Sequence, residues 1–142
     1  MALFSKLRTK PSSAYGKENT YRDKNYYREA IYDYERQLAK QPKCVDLLCR
    51  WIENYHELAS IYAQEGKIES AQKCLLIPHR SMLYMAQEHK ADDEQEQIAL
   101  RALSLTLPPL MAFASIYPPC SSCMTSLKSQ LDMIEKNTKA DH

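Results

Sequence analysis

Apolar residues recur along this chain in steps of three and four, the spacing that collects side chains on one face of an α-helix. The most regular run lies between Trp51 and Leu76. Ile52, Tyr55, Leu58, Ala59, Tyr62 and Ala63 form one stripe, while Glu53, Asn54, Glu57, Ser60, Gln64 and Glu65 take the remaining surface. Gly66 ends the pattern, because glycine enters the left-handed conformation at little cost. Ile68, Ala71, Cys74 and Leu75 then open a second stripe. A turn this short predicts two antiparallel helices packed face to face.

Similar patterns cover the rest of the chain. Ser12 or Ser13 is placed to cap a first helix through about Asp23. Tyr27, Ala30, Ile31, Tyr34 and Leu38 mark a second helix, stopped by Pro42. The stripe that starts at Ile68 keeps its phase through Pro78 to Met82, Met85, Ala86 and His89, which argues for one kinked helix, the alternative being a new helix that starts at Pro78. Asp92, Asp93 and Glu94 feed another helix with acids at its positive end. From Ile98 to Leu107 that helix is apolar almost all round, the mark of a central position in a bundle. Pro108-Pro109 is expected to end it, and Pro118-Pro119 to end a short apolar segment after it. A last helix runs from Ser121 or Ser122 to about Asn137, with Met124, Leu127, Leu131 and Ile134 on one face. The expected fold is all-α, with six or seven helices. Residues 13–137 form a single domain between a loose basic tail, 1–12, and a frayed end, 138–142.

The central hairpin carries a family likeness. Tyr55, Leu58, Ala59, Tyr62, Gly66, Ala71 and Leu75 have the identities and spacing of a tetratricopeptide repeat, which this stretch resembles. A second, weaker copy is read at Tyr21, Tyr27, Ala30, Tyr34 and Pro42, with Asn25 at the turn where glycine is usual. Ala30 and Ala71 stand 41 residues apart, about seven more than the family period of about 34. That surplus is close to two helical turns, so the intervening helix is expected to be lengthened at its start, around Val45 to Arg50. The likeness covers residues 15–76 best. It implies antiparallel hairpins wound into a right-handed superhelix, and a protein-binding groove lined by the first helix of each unit. By matching position the groove residues are Tyr15, Asn19 and Arg22, then Glu53, His56, Ser60 and Gln64. Some family members clamp a partner's terminal carboxylate with lysines, an arginine and asparagines. Asn19 matches one such asparagine, but Glu53 and Glu57 would repel a carboxylate, so that clamp is not expected.

Composition narrows the remaining choices. With 44% hydrophobic and 26% charged residues, the 142-residue chain has the make-up of an ordinary soluble domain. Its two glycines are too few for a turn-rich β architecture. The net charge of +1 gives no global pull toward nucleic acid or membrane. It is unevenly spread, however, since residues 1–43 hold ten Lys and Arg against five acids and six of the ten tyrosines. Tyrosines among cations are one way to stack single-stranded nucleic acid. The competing reading, which we favour, is that Tyr27 and Tyr34 are core positions and the charges a solvated face. Five cysteines, an odd number, suit reduced thiols in the cytoplasm better than a disulfide framework, and the N-terminus lacks the apolar core of a signal peptide. Ile98 to Tyr117 carries one charge in twenty residues, but the proline pair and Arg101 oppose a membrane span.

Candidate chemistry is sparse. Cys120 and Cys123 form a CxxC at a helix start, a spacing that can cycle as a redox pair, although no strand-helix-strand context surrounds it. No second CxxC completes a zinc site. Glu53 and His56 make a Glu-x-x-His with no second copy, so a di-iron site is not expected and the pair is assigned to a solvated helix face. Two isolated glycines cannot build a phosphate loop. The sequence therefore predicts a non-catalytic scaffold without metal or cofactor, holding a peptide or protein partner. The alternatives are a CxxC redox protein and a nucleic-acid-binding module. Met111, Phe113 and Ile116 are candidates for a homodimer interface.

Overall fold

A computed structural model describes residues 23–88 and 92–140, the last five of these for backbone only. Among the described residues every regular element is an α-helix. There are five: α1 (Lys24–Lys40), α2 (Val45–Gln64), α3 (Ile68–Gln87), α4 (Asp93–Ile116) and α5 (Ser121–Ala140). The expected first helix, with Tyr15, Asn19 and Arg22, lies outside the described residues. The chain divides within α3 into two compact units, the first ending at Pro78 and the second beginning at His79.

The first unit is built from α1, α2 and the start of α3. Asp23 caps α1, its carboxylate accepting the Tyr26 amide at 3.1 Å. Asn25 therefore lies inside the first turn of α1, and among the described residues no non-glycine has positive φ. Asn25 is thus helical behind the Asp23 cap and does not form the turn that the repeat pattern assigned to it. After Lys40, the Gln41 to Cys44 turn contains Pro42, and α2 begins at Val45, the early start that the long repeat spacing requires.

Gly66 adopts φ +79° between α2 and α3. The Lys67 amide reaches back to the Tyr62 carbonyl at 2.8 Å and the Gly66 amide to Ala63 at 3.0 Å, the two bonds of a Schellman stop. Four of the resemblance positions around it, Leu58, Ala59, Ala71 and Leu75, are buried with Tyr62. Burial goes further around α2 than one stripe. His56 and Glu57, expected on the solvated side, are only 3% and 9% exposed.

The second unit contains the rest of α3 with α4 and α5. Asp92 caps α4 by accepting the Gln95 amide at 2.8 Å, and Asp93, Glu94 and Glu96 follow in the first turn. The proline pair does not end α4, contrary to the sequence expectation: the helix passes through Pro108 and Pro109 to Ile116. Each proline removes one amide donor, here for the carbonyls of Ser104 and Leu105. Ser104 is exposed, so water can take one of them. The apolar residues keep helical phase across the interruption, with Leu103, Thr106, Leu107, Leu110 and Ala114 all buried. Breaking the helix would rotate Leu110 and Ala114 out of that stripe, at roughly 1.5–3 kcal/mol for a large apolar side chain. Pro78 is handled alike inside α3, where Cys74, Leu75, Pro78 and Met82 are buried in phase. Among the described residues α4 is also the one helix long and apolar enough to cross a membrane, and 44% of its most apolar window is buried in the fold.

Tight polar packing fixes the second unit. His79, 2% exposed, bonds through Nδ1 to the Thr106 hydroxyl at 2.9 Å and through Nε2 to Gln130 Oε1 at 2.6 Å. Gln130 Oε1 can only accept, so Nε2 carries the proton of the neutral ring and Nδ1 accepts from Thr106. One imidazole thus ties α3 to α4 and α5.

Two substitutions test these joints. Gly66→Ala meets no atom within 4 Å, so its cost is that of left-handed backbone alone. We expect about 1–2 kcal/mol of lost stability in urea unfolding, and less for Gly66→Asn; an unchanged midpoint for Gly66→Ala contradicts the turn. Thr106→Val keeps the shape but leaves His79 Nδ1 unpaired, and should cost about 1–3 kcal/mol, while Thr106→Ser retains most of it. Equal stability of the Val and Ser variants would remove the assigned bond.

Candidate functional site

The face between α1 and α2 is a polar groove of about 380 Å³. Helical spacing explains its lining. Tyr27, Ala30 and Tyr34 follow one another along α1, and Asp46, Arg50, Glu53 and Glu57 along α2, in steps of three and four. Tyr26 and Asn54 complete the rim. Three carboxylates meet one guanidinium. Arg50 Nε lies 3.2 Å from Asp46, and its pKa is raised, first by its bond to Tyr34 and then by Asp46. The tyrosine rings supply flat apolar surface with polar tips, the composition found at protein interfaces.

Beside this groove stands a cationic cluster on Tyr62. The Lys24 ammonium lies 5.4 Å and the Arg28 guanidinium 5.7 Å from the ring centroid. Arg28 also donates to the Tyr62 hydroxyl. Lys24 bonds Glu65 at 2.8 Å, which raises the lysine pKa and lowers that of the carboxylate. A second groove, about 360 Å³, lies among α1, α2 and α3 and includes Arg28, Tyr55, Tyr62, Lys73 and Ile77. Burial pushes the Tyr55 phenol to about 12, with Glu35 adding to it, so Tyr55 stays protonated there. Trp51, which stacks edge-on with Tyr55, donates to Glu35 at 3.2 Å and locks α2 to α1.

Of the groove residues expected from sequence, Glu53 lines the polar groove, Ser60 is half-buried and Gln64 is exposed. Tyr15, Asn19 and Arg22 lie outside the described residues. His56 is placed differently from its expected solvated face. It sits four residues after Ile52 and three before Ala59, on the edge of the apolar stripe, and is 3% exposed. Among the described residues neither ring nitrogen has a hydrogen-bond partner. The same spacing, relative to Leu75 and Met82, announces the burial of His79. The signal for both is therefore present in the spacing of the apolar residues around them. The Glu53/His56 spacing has no metal-binding counterpart: among the described residues no group of three His, Cys, Asp or Glu is placed to hold a metal ion.

At the start of α5 the sulfurs of Cys120 and Cys123 are 3.0 Å apart, both exposed. Of the homodimer candidates, Met111 and Phe113 are half-buried, with Phe113 5.0 Å from Tyr117 ring to ring, and Ile116 is 69% exposed.

Desolvation holds the His56 pKa at about 4, against an ordinary 6.5. The unfolded chain therefore binds a proton between those values that the folded chain refuses. Its contribution to stability is whole above pH 6.5 and is lost as the pH falls toward 4, by about 3 kcal/mol. Replacing His56 by Leu removes two unpaired polar atoms and this penalty. We expect His56→Leu to be as stable as the native chain or more so at pH 7, and to gain further on it at pH 5. Equal acid sensitivity of the two proteins in thermal melts would show that His56 is not the group responsible.

The chain matches a family model described as "Protein of unknown function (DUF2753)" over residues 6–142, and it belongs to that family. Comparisons with curated proteins and with solved structures gave no match.

Proposed function

We propose that this family member is a non-catalytic interaction scaffold of tetratricopeptide-like design, which holds a cationic segment of a partner protein against the α1–α2 groove. The observation that carries the reading is the groove lining, in which tyrosines adjoin Asp46, Glu53 and Glu57 and Arg50 is the one Lys or Arg among the described lining residues. Aromatic faces attract Lys and Arg through their quadrupole, and excess carboxylate steers and orients a basic partner. The helix hairpin closed at Gly66, with repeat-pattern residues buried on both sides of it, supports the repeat-like design. A right-handed superhelix of such hairpins is part of this proposal.

The groove weighs against nucleic acid, even though the first third of the sequence is basic. A phosphate backbone approaching Tyr26 and Tyr34 would meet those carboxylates. Five free thiols suit a reducing cytoplasmic setting. Membrane insertion of α4 is disfavoured by Arg101, the proline pair and the bond from Thr106 to His79.

The test is affinity capture with tagged native chain beside a chain carrying Asp46→Asn and Glu53→Gln. The native bait should retain a basic protein that raised salt releases. The double variant should bind it about tenfold more weakly, since two exposed charge contacts contribute about 0.2–1 kcal/mol each. Retention that is equal for both baits, or indifferent to salt, contradicts the assignment.

A further inference from the structure

The five thiols fall into two environments, with Cys44, Cys49 and Cys74 half-buried or buried and Cys120 and Cys123 exposed. Cys74 is buried, and desolvation pushes its pKa to about 11 despite a nearby Arg28. Cys49 is half-buried, and desolvation, then Asp46 and Glu53, raise its pKa too. Cys120 and Cys123 are exposed, and their sulfurs approach to 3.0 Å. A disulfide is about 2.0 Å long, so closing the pair needs about 1 Å of movement in an exposed first turn. Cys120 stands just before α5, its carbonyl accepting the Met124 amide at 3.0 Å, at the helix end whose partial positive charge favours a thiolate. The Cys123 thiol and the Ser122 hydroxyl, 3.3 Å away, bond its sulfur and bring its pKa down to about 7. The same contact raises Cys123. The two sulfurs are thus unequal. Both are exposed, and Cys120 is the more readily ionised of the two.

We propose that Cys120 and Cys123 form a dithiol–disulfide exchange site for low-molecular-weight disulfides, with Cys120 as the attacking and Cys123 as the resolving thiol. The Cys120 thiolate attacks one sulfur of the small disulfide, forms a mixed disulfide and expels a thiolate that takes a proton from water. Cys123 then loses its proton to solvent and attacks Cys120 Sγ, expelling the second small thiol. The protein gives up two electrons and two protons as one disulfide forms, and the small disulfide is reduced to two thiols. A metal role is not favoured, because among the described residues no third His, Cys, Asp or Glu joins the pair. This proposal stands whether or not the α1–α2 groove binds a partner.

The size of the effect follows from opposing trends. At pH 7 a thiol with pKa about 7 is half ionised, against about 1% for a pKa of 9. Its lower basicity costs nearly a factor of ten in nucleophilicity. The net advantage is about fivefold.

The experiment treats the full-length native chain, Cys120→Ser and Cys123→Ser with oxidised glutathione, read by intact mass and peptide mapping. Circular dichroism confirms that each variant is helical. The native chain should end as an internal Cys120–Cys123 disulfide with Cys49 and Cys74 still reduced. Cys123→Ser should accumulate one glutathione on Cys120, and Cys120→Ser should react at least about fivefold more slowly at pH 7. The initial rate of the native chain should rise with a midpoint near 7. The proposal is overturned by a native chain that stops at glutathione on Cys120. It is equally overturned if Cys120 reacts no faster than Cys123 or titrates like a free thiol near 8.5.

Discussion

Tyr62 is the point on which the first unit depends. Its carbonyl accepts the amide of Lys67 and closes the turn that sends α3 back along α2. Its ring lies under Lys24 and Arg28 of α1, and its hydroxyl accepts from Arg28. Lys24 returns to the same turn by pairing with Glu65, next to Gly66. One residue, through its backbone carbonyl at the turn and its ring against α1, therefore joins the end of α2 to the start of α3 and to the N-terminal half of α1. The Trp51 to Glu35 bond ties the same two helices further along. Exposed ion pairs contribute little individually. These sit on a buried aromatic residue, 8% exposed, where cation–π attraction is less screened.

Much of this was legible in the sequence. The stripes of α2 and α3, the stop at Gly66 and the early start of α2 all follow from spacing and from what glycine can do. Two kinds of residue misled it. Proline was read as a stop at 108–109 because local chemistry says so, yet the buried stripe from Leu103 to Ala114 keeps one phase and tertiary packing holds the helix together. At Pro78 the phase carries through the proline, and the helix continues there. Histidine was the second. His56 and His79 both occupy stripe positions, but only His79 has partners for both nitrogens. Spacing shows that a histidine faces inward, whereas its partners come from other helices and no local pattern reveals them.

Site chemistry also departs from what average charge suggests. The first 43 residues are basic, but the groove that α1 contributes to is acidic, since its carboxylates come from α2. Reading charge by sequence segment therefore gives α1 the wrong sign at the surface where it meets α2. The CxxC shows the converse. The sequence marks the pair, but the inequality of its two sulfurs arises from the geometry of the first turn of α5.

The central claim is that the α1–α2 groove receives a cationic segment. It is tested most directly by nuclear magnetic resonance of isotope-labelled protein titrated with a Lys/Arg-rich peptide and with its Glu-rich counterpart. The account predicts saturable shift changes centred on Tyr26, Tyr34, Asp46 and Glu53 with the basic peptide alone, weakening as salt is added. Changes centred on other helices, or equal responses to the two peptides, would contradict it.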